Sequence, residues 1–291
     1  MYRCEVDPAK VTAIDIHVHI EVGQDGHRSM PADIVEAFAK YFKQDGPNPD
    51  LPGVAAYYRE HGMAAVVFTV DTTTGLGHPP ISSAEIAEQA ADHADVLIPF
   101  GSVDPRQGEA AVDLAHALVT DHGVRGFKLH PTAQAFDPSD EAYRPLWAAF
   151  EQLGVPVLVH TGQTGVGAGQ PGGRGLKTRY SDPMLLDEVL ADHPDLQIIM
   201  AHPSVPWVDE QISVATHKAN SWIDLSGWSP KYFPPQLVRA ANSYLQDKVL
   251  FGSDFPALTL QRWLSDFETL ELKDTVRSKI LKDNAVRLLG L

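Results

Sequence analysis

The segment Asp15-Ile16-His17-Val18-His19 sets two imidazoles two residues apart inside an apolar run. In an extended strand residues i and i+2 share a face, so His17 and His19 project side by side. Two buried imidazoles are unfavourable when protonated, and a shared cation turns that cost into binding. For this motif alone, a hydrogen-bonded pair of core histidines is the plainer alternative. Three further apolar runs narrow it: 156–160 (PVLVH) ends in His160, 198–202 (IIMAH) in His202 and 249–254 (VLFGSD) in Asp254. Strand-end polar residues converging on one rim are hard to explain as unrelated structural groups. His17, His19, His160 and Asp254 offer three neutral imidazoles and one carboxylate. That is a borderline-hard site for one divalent ion, zinc first, with manganese, iron or cobalt as alternatives. Such a site leaves room for a water, whose pKa falls toward ~7 on zinc.

These side chains need elements to carry them. Eight short β-like runs are legible, at 13–20, 64–70, 97–103, 126–130, 156–161, 197–202, 221–226 and 249–254. Most are near-continuous in Val, Ile, Leu, Phe and Ala, as parallel strands buried on both faces are. Amphipathic helical patterns lie between them at 108–120, 140–153 (stopped by Gly154), 183–192 and 274–289 (stopped by Gly290). Repeated strand–helix alternation predicts a single (β/α)8 TIM barrel over residues 1–291. A doubly wound sheet is the competitor, but no glycine fingerprint follows the first strand. The long connection 21–63 is expected to insert one or two extra helices over the barrel mouth.

Charge and cysteine content bound the partners. A net charge of −15 argues against nucleic acid. No apolar stretch approaches the roughly 20 residues that span a bilayer, and residues 1–10 lack a signal-peptide centre. The single Cys4 excludes an internal disulfide framework and a cysteine-rich zinc site. A cytoplasmic enzyme is therefore expected, with a homodimer as a plausible assembly.

The motifs DIHVH, GFKLHP, VLVHTG, SDPMLLDEVLADHPDLQIIMAHPS, IDLSGWSP, LFGSDFP and DNAVRLLGL together resemble the amidohydrolase superfamily. Within it they are most similar to the aminocarboxymuconate-semialdehyde decarboxylase-like branch (amidohydrolase family 2), with a likeness to its aryl β-ketoacyl-CoA hydrolases. The resemblance implies that His17, His19, His160 and Asp254 hold the metal, that Asp254 also accepts a proton, and that His202 is an acid–base or orienting group. Family members often have glycine two residues after the strand-six histidine, whereas this chain has Pro203-Ser204, which puts the adjacent loop contacts in question. In binuclear members of the superfamily a carboxylated lysine on strand four bridges two metals; Lys128 stands at that position, with a buried lysine–carboxylate pair as the plainer account.

Substrate contacts are read from rim loops. His130 is substrate-facing or structural. The glycine-rich run 162–177 carries Arg174 and Lys177, with Arg179 just beyond, which points to a small anionic substrate or else to a solvated basic lid. Trp228 and Tyr232 on the loop after strand seven could wall a planar ring or pack against neighbouring loops. The leading expectation is a metal-dependent hydrolase of a carbonyl, C–C or ester-type bond in catabolism of a small anionic aromatic or β-ketoacyl substrate, CoA-linked forms included. A decarboxylase of an aromatic or unsaturated acid is the runner-up, and a non-catalytic metal-binding barrel the reading from another class.

Overall fold

Apolar runs become strands where they are buried on both faces, and the eight predicted runs do so here. The computed structural model describes residues 1–42 and 48–291. The strands are β1 (Ile14–His19), β2 (Ala64–Phe68), β3 (Leu97–Pro99), β4 (Phe127–Leu129), β5 (Val157–His160), β6 (Ile198–Ala201), β7 (Ser221–Asp224) and β8 (Val249–Leu250). β1 to β3 pair in chain order, as do β4 to β8, and every pairing is parallel. Parallel bridges span both remaining seams, Gly101 to Phe127 and Val18 to Phe255. Backbone bonds from Lys128 N to Gly101 O (2.7 Å) and from His19 N to Phe255 O (2.8 Å) hold them shut. The sheet is thus a closed (β/α)8 barrel without free edges.

Alternation along the strands sorts the core into two clusters. Ala65, Val67, Leu97, Phe127, Val157, Ile198, Ile223 and Val249 belong to the cluster shared with the helices. Ile14, Ile16, Ala64, Val66, Ile98, Leu158, Ile199, Trp222 and Leu250 form a second cluster, which fills the barrel interior. Both are buried.

Two helices, Ala32–Phe42 and Leu51–Glu60, occupy the long connection after β1, as the length of that connection predicts. The second starts at Asp50, whose side chain accepts from Gly53 N at 2.9 Å, and it buries Leu51, Val54, Ala55 and Tyr58. The helix predicted over 140–153 begins as a 3-10 turn, Glu141–Tyr143, before Arg144–Leu153, and stops at Gly154 with φ 64°. The one over 183–192 likewise begins as Pro183–Leu186, behind the capping side chain of Asp182. The last predicted helix is interrupted by a π turn, Lys279–Asp283. The widened turn presents the carbonyl of Ile280 to Phe251 N at 2.8 Å, fastening the chain just past β8 to the terminal helix. Among the described residues no helix is long and apolar enough to cross a membrane.

Candidate active site

Simple alternation would spoil the site. With Ile14 and Ile16 inward, Val18 should follow them and His17 should face the helices. Pairing between β1 and β2 instead shifts register between Asp15 and Val18. The irregularity flips the parity, as bulges do, so that Val18 joins the outer cluster and both histidines turn inward. His17 Nε2 and His19 Nε2 come within 3.3 Å. Oδ1 of Asp254 lies 3.2 Å from each. These three residues offer ligand atoms that all lie within 4.8 Å of one another.

Asp254 and His202 reach the cavity from left-handed backbone, with φ of 67° and 68°. That conformation costs on the order of 1–2 kcal/mol per non-glycine residue, and surrounding bonds hold it: Asp254 N donates to His17 O at 3.0 Å, and Gln211 Nε2 to His202 O at 2.8 Å. Ser204, two residues after His202, also has a positive φ of 36°. Its hydroxyl meets Thr161 Oγ1 at 2.5 Å. Gly227 must lack a side chain, since a Cβ there would lie 2.6 Å from His202 Nδ1.

Behind the three donors lies a layer of buried polar residues to which the sequence reading gave no role. Asp224, fully buried at the end of β7, meets His17 Nδ1 at 2.5 Å. A carboxylate at that nitrogen fixes the proton on Nδ1 and leaves Nε2 as the donor toward the cavity. Ser226 Oγ donates to Asp224 Oδ2 at 2.7 Å and stands 2.9 Å from His202 Nδ1, coupling the two histidines. Asp15 accepts from His17 N and Ser253 N, each at 3.0 Å, and from Tyr58 Oη at 2.7 Å. It therefore ties the strand bearing the histidines to the turn bearing Asp254. The available signals were the alternation of Asp224 with Ser226 in IDLS and the aspartate opening DIHVH.

His160 and Lys128 complete the floor. His160 Nδ1 lies 3.0 Å from His202 Nε2, while its Nε2 is buried with no hydrogen-bond partner among the described residues. It falls outside the three-donor group. His130 stacks on it with ring centroids 3.8 Å apart and reaches Thr164 Oγ1 through Nε2 at 3.1 Å, so it both supports the floor and faces the cavity. Lys128 is fully buried, with Nζ 3.2 Å from His17 Nε2.

Burial governs the protonation of this layer. It drives His17, His130 and His160 well below the usual imidazole range, with charged neighbours, Lys128 among them, adding to the effect. It lowers His202 to about 4 against the opposing pull of Asp254. Neutral imidazoles are what metal ligation requires. Burial also lowers Lys128, against the attraction of Asp254 and Asp224. On Asp254 burial acts upward, but the hydrogen bond from His19 and the charges around it hold the carboxyl below its usual value. Buried neutral imidazoles, an ionised carboxylate and an orphaned Nε2 suit a divalent ion.

The floor opens into a cavity of about 440 Å³ lined by His19, Lys128, His130, His160, His202 and Asp254, and higher up by Met30, Val166, Trp228, Tyr232, Leu258 and Arg262. Trp228 and Tyr232, on the loop after β7, are thus part of the cavity wall. Arg174 and Lys177 do not line the cavity. Left-handed backbone at Gly172, Gly173 and Arg174 turns this stretch away. Arg174 Nη1 pairs with Asp33 Oδ2 on the inserted helix at 2.8 Å, and Lys177 lies over the Tyr180 ring. The cavity cation that the sequence reading missed is Arg262.

Comparison with known proteins agrees with this architecture. A curated relative, γ-resorcylate decarboxylase from Rhizobium sp. (strain MTP-10005), is 23% identical over 245 residues, 71% of this chain and 74% of the relative. An uncharacterised TIM-barrel protein from Bordetella bronchiseptica superposes with a TM-score of 0.77 at 25% identity, covering 96% of this chain and 98% of the other. Dihydroxybenzoic acid decarboxylase from Polaromonas sp. JS666, solved with manganese and 2-nitroresorcinol, superposes with a TM-score of 0.67 at 18% identity over 97% of each chain. The amidohydrolase family model matches residues 14–291, and the chain belongs to that family.

Proposed function

We propose that the protein is a metal-dependent decarboxylase of an aromatic carboxylic acid. The observation that carries the reading is the cavity itself. Metal-type donors gather at its floor, and Trp228, Tyr232, Val166 and Leu258 line its walls, in a volume of the size that takes small ligands. The relatives named as decarboxylases of hydroxylated benzoic acids support it. His17, His19, His160 and Asp254 would hold the ion, His160 through the Nε2 that lacks a partner. A bound divalent ion, zinc or manganese among the candidates, supplies a Lewis acid that anchors and orients the carboxylate. Trp228 and Tyr232 then flank the ring, while Lys128 and His130 orient its polar substituents. Asp254, ionised, and His202, neutral, would relay from solvent water the proton that replaces CO2. A C–H bond forms at the ring carbon as its C–C bond to the carboxylate breaks, and that electron pair stays with the ring.

Hydrolysis of a carbonyl or acyl substrate, β-ketoacyl-CoA thioesters included, would use the same donors and takes second place, because the relatives from Rhizobium and Polaromonas described above are named as decarboxylases. Lys128 as a carboxylated bridge between two ions stands further back: its Nζ already lies beside His17 Nε2. The test is turnover of hydroxybenzoates and, in parallel, of aryl β-ketoacyl thioesters by zinc- and manganese-loaded enzyme in ¹⁸O water. Decarboxylation releases CO2 and leaves the aromatic product unlabelled. Label appearing in a new carboxylate, with no CO2, would reject the proposal in favour of hydrolysis.

A further inference from the structure

We propose that Arg262 forms an anion-recognition subsite at the rim of the cavity, so that the natural substrate carries a second anionic oxygen group besides the carboxylate held at the floor; this rests on the decarboxylase reading above. Arg262 sits in the first turn of the helix Leu260–Glu268, shortly after the turn that carries Asp254. It lines the same cavity as His19, His160, His202 and Asp254.

Among the described residues, the carboxylates one helical turn away and in the cavity lining are engaged elsewhere. One turn along the helix Asp266 is its natural i+4 partner, yet Asp266 accepts from the Ser229 hydroxyl and lies 3.7 Å from Lys231 Nζ. Within the cavity Asp254 contacts His17 and His19. Glu21 accepts from the Ser29 hydroxyl and lies 3.5 Å from His19 Nδ1. Among the described residues no side chain bonds the guanidinium of Arg262, which is exposed at the cavity rim.

A guanidinium is a planar fork suited to bidentate recognition of a carboxylate or similar oxyanion. Its surroundings add selectivity, with the ring of Tyr232, the indole of Trp228 and the amide of Asn48 on the same cavity wall. Among the described residues, Lys128 at the floor and Arg262 at the rim are the lysine and arginine of the lining, and they define two anchoring points. The substrate class that fits both is an aromatic acid with an oxyanion substituent directed outward.

The test compares binding of benzoate with that of isophthalate, terephthalate and a biphenyl dicarboxylate to the metal-loaded enzyme by calorimetry. At least one dicarboxylate should bind on the order of tenfold tighter than benzoate, the worth of one charged hydrogen-bonding contact. In Arg262→Gln that ratio should collapse toward one, while Arg262→Lys keeps part of it. Arg179→Ala, which removes a cation that pairs with Asp137 and does not line the cavity, should leave the ratio unchanged. The proposal is overturned if no dicarboxylate is preferred by the wild-type protein, or if the preference survives Arg262→Gln in a protein with unchanged circular dichroism. CO2 release from hydroxybenzoates is read separately, so a decarboxylase without the subsite and a subsite without decarboxylation give different results.

Discussion

The barrel interior is filled with opposite chemistry at its two ends. Toward the N-terminal ends of the strands it holds Ile14, Ile16, Val66, Ile98, Leu158, Ile199 and Leu250, an aliphatic plug with the indole of Trp222 beside it. Toward the C-terminal ends, the same alternating positions become Lys128, His160 and Asp224, joined by His17, His19, His202 and Asp254. The plug needs only volume and hydrophobicity, whereas the polar layer needs each donor and acceptor matched, because an unmatched buried polar group costs ~1–3 kcal/mol. One end therefore sustains the fold and the other stores the capacity to bind an ion. A substitution at each end should separate these roles.

The largest contrast is expected from His17→Ala. Losing this donor should abolish metal retention after dialysis, and with it turnover, whereas His202→Ala should keep the metal and lose turnover by roughly 10²–10⁴-fold, the range for a lost acid–base group. Metal analysis decides it, and a fully loaded His17→Ala protein would remove that residue from the ligand set. Leu158→Ala, in the plug, should destabilise the fold by about 2–5 kcal/mol in denaturant titrations. Metal content per folded molecule should stay near that of the wild type, and selective metal loss would dissolve the distinction between the two ends. Asp224→Asn sharpens the contrast from the polar side: it takes the carboxylate from His17 Nδ1 while keeping the volume. Metal affinity should fall by about 10–100-fold in competition with a chelator. The smallest effect should come from Arg174→Ala, outside both layers. Its ion pair with Asp33 is partly exposed, and such pairs contribute less than about 1 kcal/mol. A large loss of activity there would return the glycine-rich run to the substrate site.

Much of this arrangement was readable beforehand, and the failures share a cause. Strand-end histidines and the terminal Asp254 stood out because polar residues closing apolar runs break a strong pattern. Trp228 and Tyr232 were legible as aromatics on a rim loop. Arg174 and Lys177 were judged by charge and by closeness in sequence to strand five, but a run of positive φ carries that stretch away from the cavity. Arg262 has no local signature, because nothing in SDFPALTLQRW signals that the helix after β8 brings its first turn to the cavity lining. Asp224 and Ser226 were visible as residues without a role, since partners more than 200 positions apart leave no local trace.

Local composition was enough to specify eight buried strands, the helices between them and the side chains able to take an ion, because periodicity and residue type are properties of short segments. The inward turn of His17 and His19 was another matter. It depends on a register shift against β2 and on a seam closed between β1 and the turn after β8, contacts between segments remote in the chain. Barrel closure also set which cation reaches the cavity, because it fixes where each loop is launched, and no local sequence pattern encodes that direction.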